Sequence, residues 1–309
     1  MARPRPIIVD CDPGYDDAIA LFLALGSPEL DVHLVTAVGG NAGLESTLRN
    51  ARALVGLAAA RVPVVAGADK PLIGEFVTAP AAHGEDGICG VVLPDGPPAA
   101  PGLAADAIRN ALRTAETPLT LVGIGPATNL GLVLATEPAL AERVGEIVLM
   151  TGAWGEGNAT PAAEFNAWND PEALAIVLGC GRPITLATLE IAAQALCTPE
   201  RVAQMQARRG GNCLRAACEI MQRTPPSRRL GGKGHAQFDA CAIAWLIAPG
   251  LFTMREVNAS VDLGPGPGRG RTVIDRWDRL GLPANARVLE TLDAERFFAL
   301  LGERIAALP

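Results

Sequence analysis

The sequence predicts an α/β protein built on a single open, mostly parallel wound sheet with helices on both faces, a Rossmann-like arrangement. Three observations carry this. Short aliphatic runs read as strands buried on both faces, longer amphipathic segments separate them, and the two alternate in the order β-α-β-α through more than half of the chain.

The strand-like runs lie at 7–9, 32–38, 62–65, 119–122, 147–150 and 184–186. Helical patterning occupies about 16–26, 42–60, 103–115, 138–144 and 171–179, several of these opened by Asp, Ser/Thr or Pro, residues that suit a first turn. From about 198 to 248 the pattern becomes helical, opened by Thr198-Pro199-Glu200. Strand-like pieces return between 256 and 290 around the turn-rich stretch 264–270, and a last helix is expected at about 292–307. The Gly/Pro-rich stretches at 94–102 and 264–270 are short enough to be surface loops. Residues 1–309 therefore read as one domain with a helical excursion at about 198–248.

At 309 residues, with 49% hydrophobic and 19% charged, the chain is too apolar to be disordered. Its formal charge of -7, with basic clusters only at Arg208-Arg209 and Arg228-Arg229, argues against nucleic acid as the main partner. The seven cysteines form no C-x-x-C pair and sit mostly in apolar stretches, as at Cys89 and Cys241, which reads as a reduced compartment. The N-terminus lacks a leader-like apolar region and no apolar run reaches ~18 residues, so a cytoplasmic protein without membrane contact is expected.

In open α/β sheets ligands bind beyond the carboxyl ends of the strands. There, Asp10-Cys11-Asp12-Pro13-Gly14-Tyr15-Asp16-Asp17 sets four carboxylates within eight residues. Such crowding must be relieved by shared protons or by a cation, and hard oxygen donors suit Ca²⁺ or Mg²⁺. Asp16 and Asp17 alone could simply favour a helix N-terminus, but all four at a strand end point to a metal. Pro13-Gly14 supplies the turn by which Asp12 and Asp17 converge, with Asp10 lower on the strand.

This stretch resembles the signature of the calcium-dependent, inosine-uridine preferring nucleoside hydrolases. Similar stretches follow in family order: Val38-Gly39-Gly40-Asn41, Gly67-Ala68-Asp69-Lys70-Pro71-Leu72, His83-Gly84-Glu85-Asp86-Gly87, Gly125-Pro126-Ala127-Thr128-Asn129, Gly155-Glu156-Gly157-Asn158-Ala159-Thr160, Ala163-Glu164-Phe165-Asn166 and Asp239-Ala240. The resemblance implies hydrolysis of the N-glycosidic bond of a ribonucleoside by a Ca²⁺-bound water, giving free base and ribose. It implies Asp12, Asp17, Asp239 and the main-chain carbonyl of Ile124 as Ca²⁺ ligands, with Asp12 also the general base and Asp10 orienting the others. Asp16 and Asn41 would meet the ribose, as would Asn158, Glu164 and Asn166; the last two, if extended, share one face. Homodimers or homotetramers are likewise implied.

One departure bears on the leaving base. Inosine-uridine members of the family carry a His immediately before the late Asp, and the purine-preferring branch a stacking Trp; here the position is Phe238. A stacking role for Phe238 would lean the substrate toward purine nucleosides. His83 is a family position near the base and a candidate acid. His235, in a Gly-rich loop, is a weaker candidate, expected to face solvent, and His33 reads as structural. Trp154 is a weak candidate for base contact, and Trp168 flanks the same loop. Two other readings are open: a Mg²⁺-dependent phosphohydrolase of the haloacid-dehalogenase type, against which Gly14 and Asp16-Asp17 stand, and a non-catalytic nucleoside binder, against which Asp12 stands.

Overall fold

The computed structural model describes residues 3–309. Eleven strands run in chain order: β1 (Arg5–Cys11), β2 (Leu30–Ala37), β3 (Val64–Ala66), β4 (Leu119–Gly123), β5 (Val144–Met150), β6 (Ile184–Ala187), β7 (Leu196–Cys197), β8 (His235–Ala236), β9 (Phe252–Val261), β10 (Thr272–Asp275) and β11 (Ala286–Leu292). The helices are α1 (Tyr15–Leu25), α2 (Leu44–Leu57), α3 (Pro80–His83), α4 (Ala104–Thr114), α5 (Thr128–Thr136), α6 (Phe165–Asn169), α7 (Pro171–Leu178), α8 (Leu189–Ala192), α9 (Pro199–Gln206), α10 (Asn212–Arg223), α11 (Phe238–Ile247) and α12 (Ala294–Ala306).

Nine strands form one sheet in the order β10-β9-β11-β6-β5-β4-β1-β2-β3. Strands β1 to β6 are parallel to one another, β11 is parallel to β6, and β9 turns antiparallel to both β11 and β10. In β1, Ile7, Val9 and Cys11 point into one core with α1, α10, α11 and α12, while Ile8 points into the other with α4, α5 and α7, the period-2 alternation of a strand buried on both faces. The chain winds outward from β1 through β2 to β3, then returns to β4 on its other side. The crevice between β1 and β4 is thus a topological switch point, where the loops diverge and a ligand can sit.

Each strand-like run of the sequence overlaps a strand, although β3 begins only at Val64 and β2 ends at Ala37. Three expectations are corrected. Residues 138–143 form a 3₁₀ segment, Pro138–Arg143, in place of an α-helix. Helix α5 was not expected, because its run Thr-Asn-Leu-Gly-Leu-Val-Leu-Ala-Thr has almost no polar stripe to mark a helical period. The stretch 198–248 is interrupted at β8, which pairs antiparallel with β7 and places His235 opposite Cys197.

Candidate active site

The acidic loop is organised by its own backbone. Asp17, in the first turn of α1, accepts from Gly14 N at 2.9 Å through Oδ2 and from Asp12 N at 3.1 Å through Oδ1, so it closes the turn that precedes it. Asn41, beyond β2, donates its backbone N–H to Asp12 Oδ2 at 2.7 Å, and its side-chain amide to Asp17 Oδ2 at 3.1 Å and to the Asp12 carbonyl at 3.2 Å. Asp10 Oδ1 accepts from Thr36 Oγ1 and from Asn129 Nδ2 at 2.8 Å. Space for the Asp12 carboxylate depends on two glycines: a Cβ on Gly125 would stand 2.7 Å from Oδ1, and one on Gly40 would collide with Oδ2.

Asp239 arrives in the first turn of α11. Oxygens of Asp16, Asp17 and Asp239 lie within 4.8 Å of one another, and all three side chains are buried. Burial pushes Asp10 up to about 7 and Asp17 up to about 6. Burial, followed by the charge of Asp17, raises Asp12 and Asp16 well above the usual carboxylate range; burial and the charges of Asp16, Asp17 and Asp12 do the same to Asp239.

Among the described residues, Asp10 Oδ2, Asp12 Oδ1 and Asp16 Oδ1 are buried without a hydrogen-bond partner. Orphaned carboxylate oxygens beside an all-oxygen triad fit a hard divalent cation, whose charge would favour the ionised form of the carboxyls that burial raises. The tightest triad contains Asp16 rather than Asp12, so Asp16 stands closer to a cation position than the expectation of a purely ribose-binding role implied. The Ile124 carbonyl accepts from Asn166 Nδ2 at 3.0 Å, which leaves it one lone pair.

Above the cluster opens a cavity of about 860 Å³. Asp16, Asn41, Ile124, Asn158, Glu164, Asn166 and Asp239 line it, together with Tyr15, His83, His235 and Phe238; Asp12 and Asp17 are fully buried and are not among its lining residues. The expectation that Glu164 and Asn166 project from an extended segment is corrected. Glu164 is the N-cap of α6 and accepts four bonds: Asn166 N at 2.9 Å, Gly152 N at 2.9 Å, Ala167 N at 3.0 Å and Thr151 Oγ1 at 3.2 Å. Its carboxylate therefore fastens the loop after β5 before it can meet a ligand. Asn166 Nδ2 is likewise engaged, on Ile124 O and Met150 O. Exposed Asn158 accepts from Phe165 N at 2.9 Å through Oδ1.

His83 and His235 flank Tyr15. His83 stacks on it at 4.7 Å and accepts from Tyr15 N at 3.3 Å through Nδ1, so its remaining proton belongs on Nε2. His235 meets Tyr15 edge-on at 5.3 Å. Burial lowers both, His83 to about 3 and His235 to about 4, so they are neutral at physiological pH. His235 is buried rather than solvent-facing, because β8 carries it inward, and its Nε2 has no partner among the described residues. Phe238 is half-buried at the cavity. Trp154 is not among the lining residues: the Arg276 guanidinium covers its ring at 4.4 Å. Trp168 is outside the lining too, and His33 is exposed beside Asp31.

Sequence reasoning overlooked Tyr15, the single tyrosine of the chain, although its place inside the acidic loop was a signal. It also passed over the segment 225–230, which lines the cavity and is tied across it by Arg229 Nη2 donating to Glu156 O at 2.9 Å.

The family model described as inosine-uridine preferring nucleoside hydrolase matches residues 7–299. The chain is 40% identical over 306 residues to proteins named pyrimidine-specific ribonucleoside hydrolase RihA from Shewanella woodyi and Salmonella agona, covering 97% of this chain and 98% of each relative. Among solved structures it is similar to a purine-preferring ribonucleoside hydrolase from Gardnerella vaginalis, with a TM-score of 0.90, 29% identity and 98% of each chain covered. A plant nucleoside hydrolase is similar at a TM-score of 0.89 and 30% identity, covering 98% of this chain and 99% of that one.

Proposed function

The chain belongs to the inosine-uridine preferring nucleoside hydrolase family and is an N-ribosyl hydrolase of nucleosides, and from that premise we propose that it works with Ca²⁺ at the buried Asp cluster. The observation that carries this is the set of orphaned carboxylate oxygens beneath the cavity. The phosphohydrolase and binder readings give way to it. A bound Ca²⁺ would hold ribose hydroxyls and lower the pKa of a water.

In this reading Asp17 and Asp239, with Asp12 and the Ile124 carbonyl, would hold the cation, and Asp10 stays behind them on Thr36 and Asn129. Asp12 is the general base. Asn41 fixes its Oδ2, which leaves Oδ1 to take a proton from the attacking water. Asp16 accepts from a ribose hydroxyl, and the free amide of Asn158 reaches the sugar from the loop after β5. Asn166 contributes through its Oδ1, since its nitrogen holds Ile124 and Met150. Glu164 acts by holding that loop.

His83 and His235, both neutral, serve the leaving base as hydrogen-bond donors rather than as stored imidazolium, and His235 supplies the polar group that residue 238 lacks. Two observations bear on the base. Phe238 and a cavity of about 860 Å³ support purines, while the RihA relatives are named pyrimidine-specific. One domain spanning 1–309 is supported by a sheet that uses strands from β1 to β11. A reduced, cytoplasmic setting is supported by seven free cysteines, and no helix among the described residues is long and apolar enough to cross a membrane.

The test is release of free ribose from inosine, adenosine, guanosine, uridine and cytidine, with Ca²⁺ and after chelation. Ca²⁺-dependent release is expected. Equal release after exhaustive chelation would remove the cation from this reading, and the ranking of bases decides between purine and pyrimidine.

A further inference from the structure

Helix α2 lines none of the cavity, yet two of its polar side chains are fully enclosed, Thr47 and Asn50. Three residues apart, they share one face of the helix. Thr47 Oγ1 donates to Val38 O at 2.9 Å, just beyond β2. Asn50 Nδ2 donates to two carbonyls at once, Pro13 O at 3.1 Å in the acidic loop and Asp86 O at 2.7 Å in the turn after His83. A side-chain amide carries two N–H groups, and both partners are acceptors only, so each loop takes one.

The two loops that Asn50 joins also pack on each other. A Cβ on Gly14 would collide with His83 Nδ1, and one on Gly87 would stand 2.9 Å from Pro13 O and 3.1 Å from Asn50 Nδ2. The turn after His83 is knotted: Asp86 Oδ1 accepts from Ile88 N at 3.2 Å and Gly90 N at 3.1 Å, and Cys89 N donates to His83 O at 2.8 Å. Moving the Asp86 carbonyl therefore moves His83. A carboxylate at position 50 would set oxygen against two carbonyl oxygens and leave both buried acceptors unpaired, which is the costly way to lose a hydrogen bond.

We propose that Asn50 is a positioning residue for the reaction: it sets the acidic loop against the turn that carries His83, and so keeps the His83 imidazole on the Tyr15 backbone N–H. This rests on the reading of His83 as a donor to the leaving base. Asn50→Asp and the milder Asn50→Ser, each checked for folding by circular dichroism, test it in the full chain. Two quantities are read: kcat and KM on the nucleoside hydrolysed fastest, and the ¹⁵N resonances of the three imidazoles, with exposed His33 as the reference. In the folded variants kcat should fall about 10-fold or more with KM within about 3-fold, the pattern of misplaced transition-state contacts. The His83 resonances should move away from the single Nε2–H tautomer that Tyr15 N imposes, while those of His33 stay. A merely structural Asn50 would lower the urea midpoint and leave both quantities as in the wild type, which overturns the proposal. A fall in kcat with the His83 resonances unmoved overturns it too. Resonances that move while kcat stays at the wild-type value uphold the positioning and remove His83 from the reaction, so the two failures are told apart.

Discussion

The ring of Tyr15 stacks on the imidazole of His83 with centroids 4.7 Å apart and planes 28° apart, and the Tyr15 backbone N–H fixes the His83 tautomer. A single residue of the acidic segment therefore also orders an imidazole that lines the cavity. Tyr15→Phe, which gives up only a 3.4 Å bond from the hydroxyl to Ala236 O, should stay close to wild type. Tyr15→Ala should lower kcat by about 10-fold or more, since misplaced catalytic groups cost that much. Steady-state kinetics of the pair checks this; a Tyr15→Ala enzyme with unchanged kcat removes the positioning role.

Asp12→Asn keeps the size of the side chain and removes its basicity. Turnover should fall by at least about 100-fold while nucleoside binding, followed by calorimetry, persists. Near-wild-type turnover would take Asp12 out of the mechanism.

Ca²⁺ binding should release protons. Burial raises the cluster carboxyls, Asp17 to about 6, so as pH falls the metal-free site takes up protons that a cation must displace. Affinity is thus expected to rise with pH through about 6, and Asp239→Asn to weaken it. Calorimetry in buffers of different ionisation enthalpy measures the protons released; an affinity independent of pH contradicts the prediction.

His235 makes a stability prediction. Its pKa in the folded protein, about 4, lies below the 6.5 of a free imidazole, so the unfolded chain binds the extra proton first as pH falls. Its neutral form favours folding fully above about pH 6.5, and that contribution is lost on the way down to about pH 4, up to ~3 kcal/mol. His235→Asn should flatten the fall in stability over that window. Urea melts at pH 7 and pH 4.5, compared with the wild type, provide the reading.

Phe238→Ala should penalise purine nucleosides more than pyrimidine ones if the ring stacks on the base, because the larger base offers the larger face. Equal losses in kcat/KM would return Phe238 to a packing role.

The wound sheet was legible because its strands are buried on both faces and so carry uninterrupted aliphatic runs. Helix α5 was hidden by the same burial, which removed the polar stripe a helical period needs. The carboxylates of the first loop were legible from their crowding. Glu164 was harder: sequence marks it as a polar residue near a strand end but cannot tell a cap from a ligand, and four internal bonds decide in favour of the cap. His235 was misread because Gly231 to Gly234 suggested a mobile surface loop, whereas two residues of pairing to β7 turn it inward.

The switch point between β1 and β4 has an evolutionary consequence. The carboxylates that would perform the chemistry come from the β1–α1 loop and the first turn of α11, while the cavity's remaining lining comes largely from α3, α8, the loop after β5 and the segment 225–235. On the proposed function, bond-breaking and base selection would be encoded in separable pieces of sequence. Drift in the second set can explore new nucleosides while the first stays fixed, which is how one scaffold can accommodate relatives named for purines and for pyrimidines.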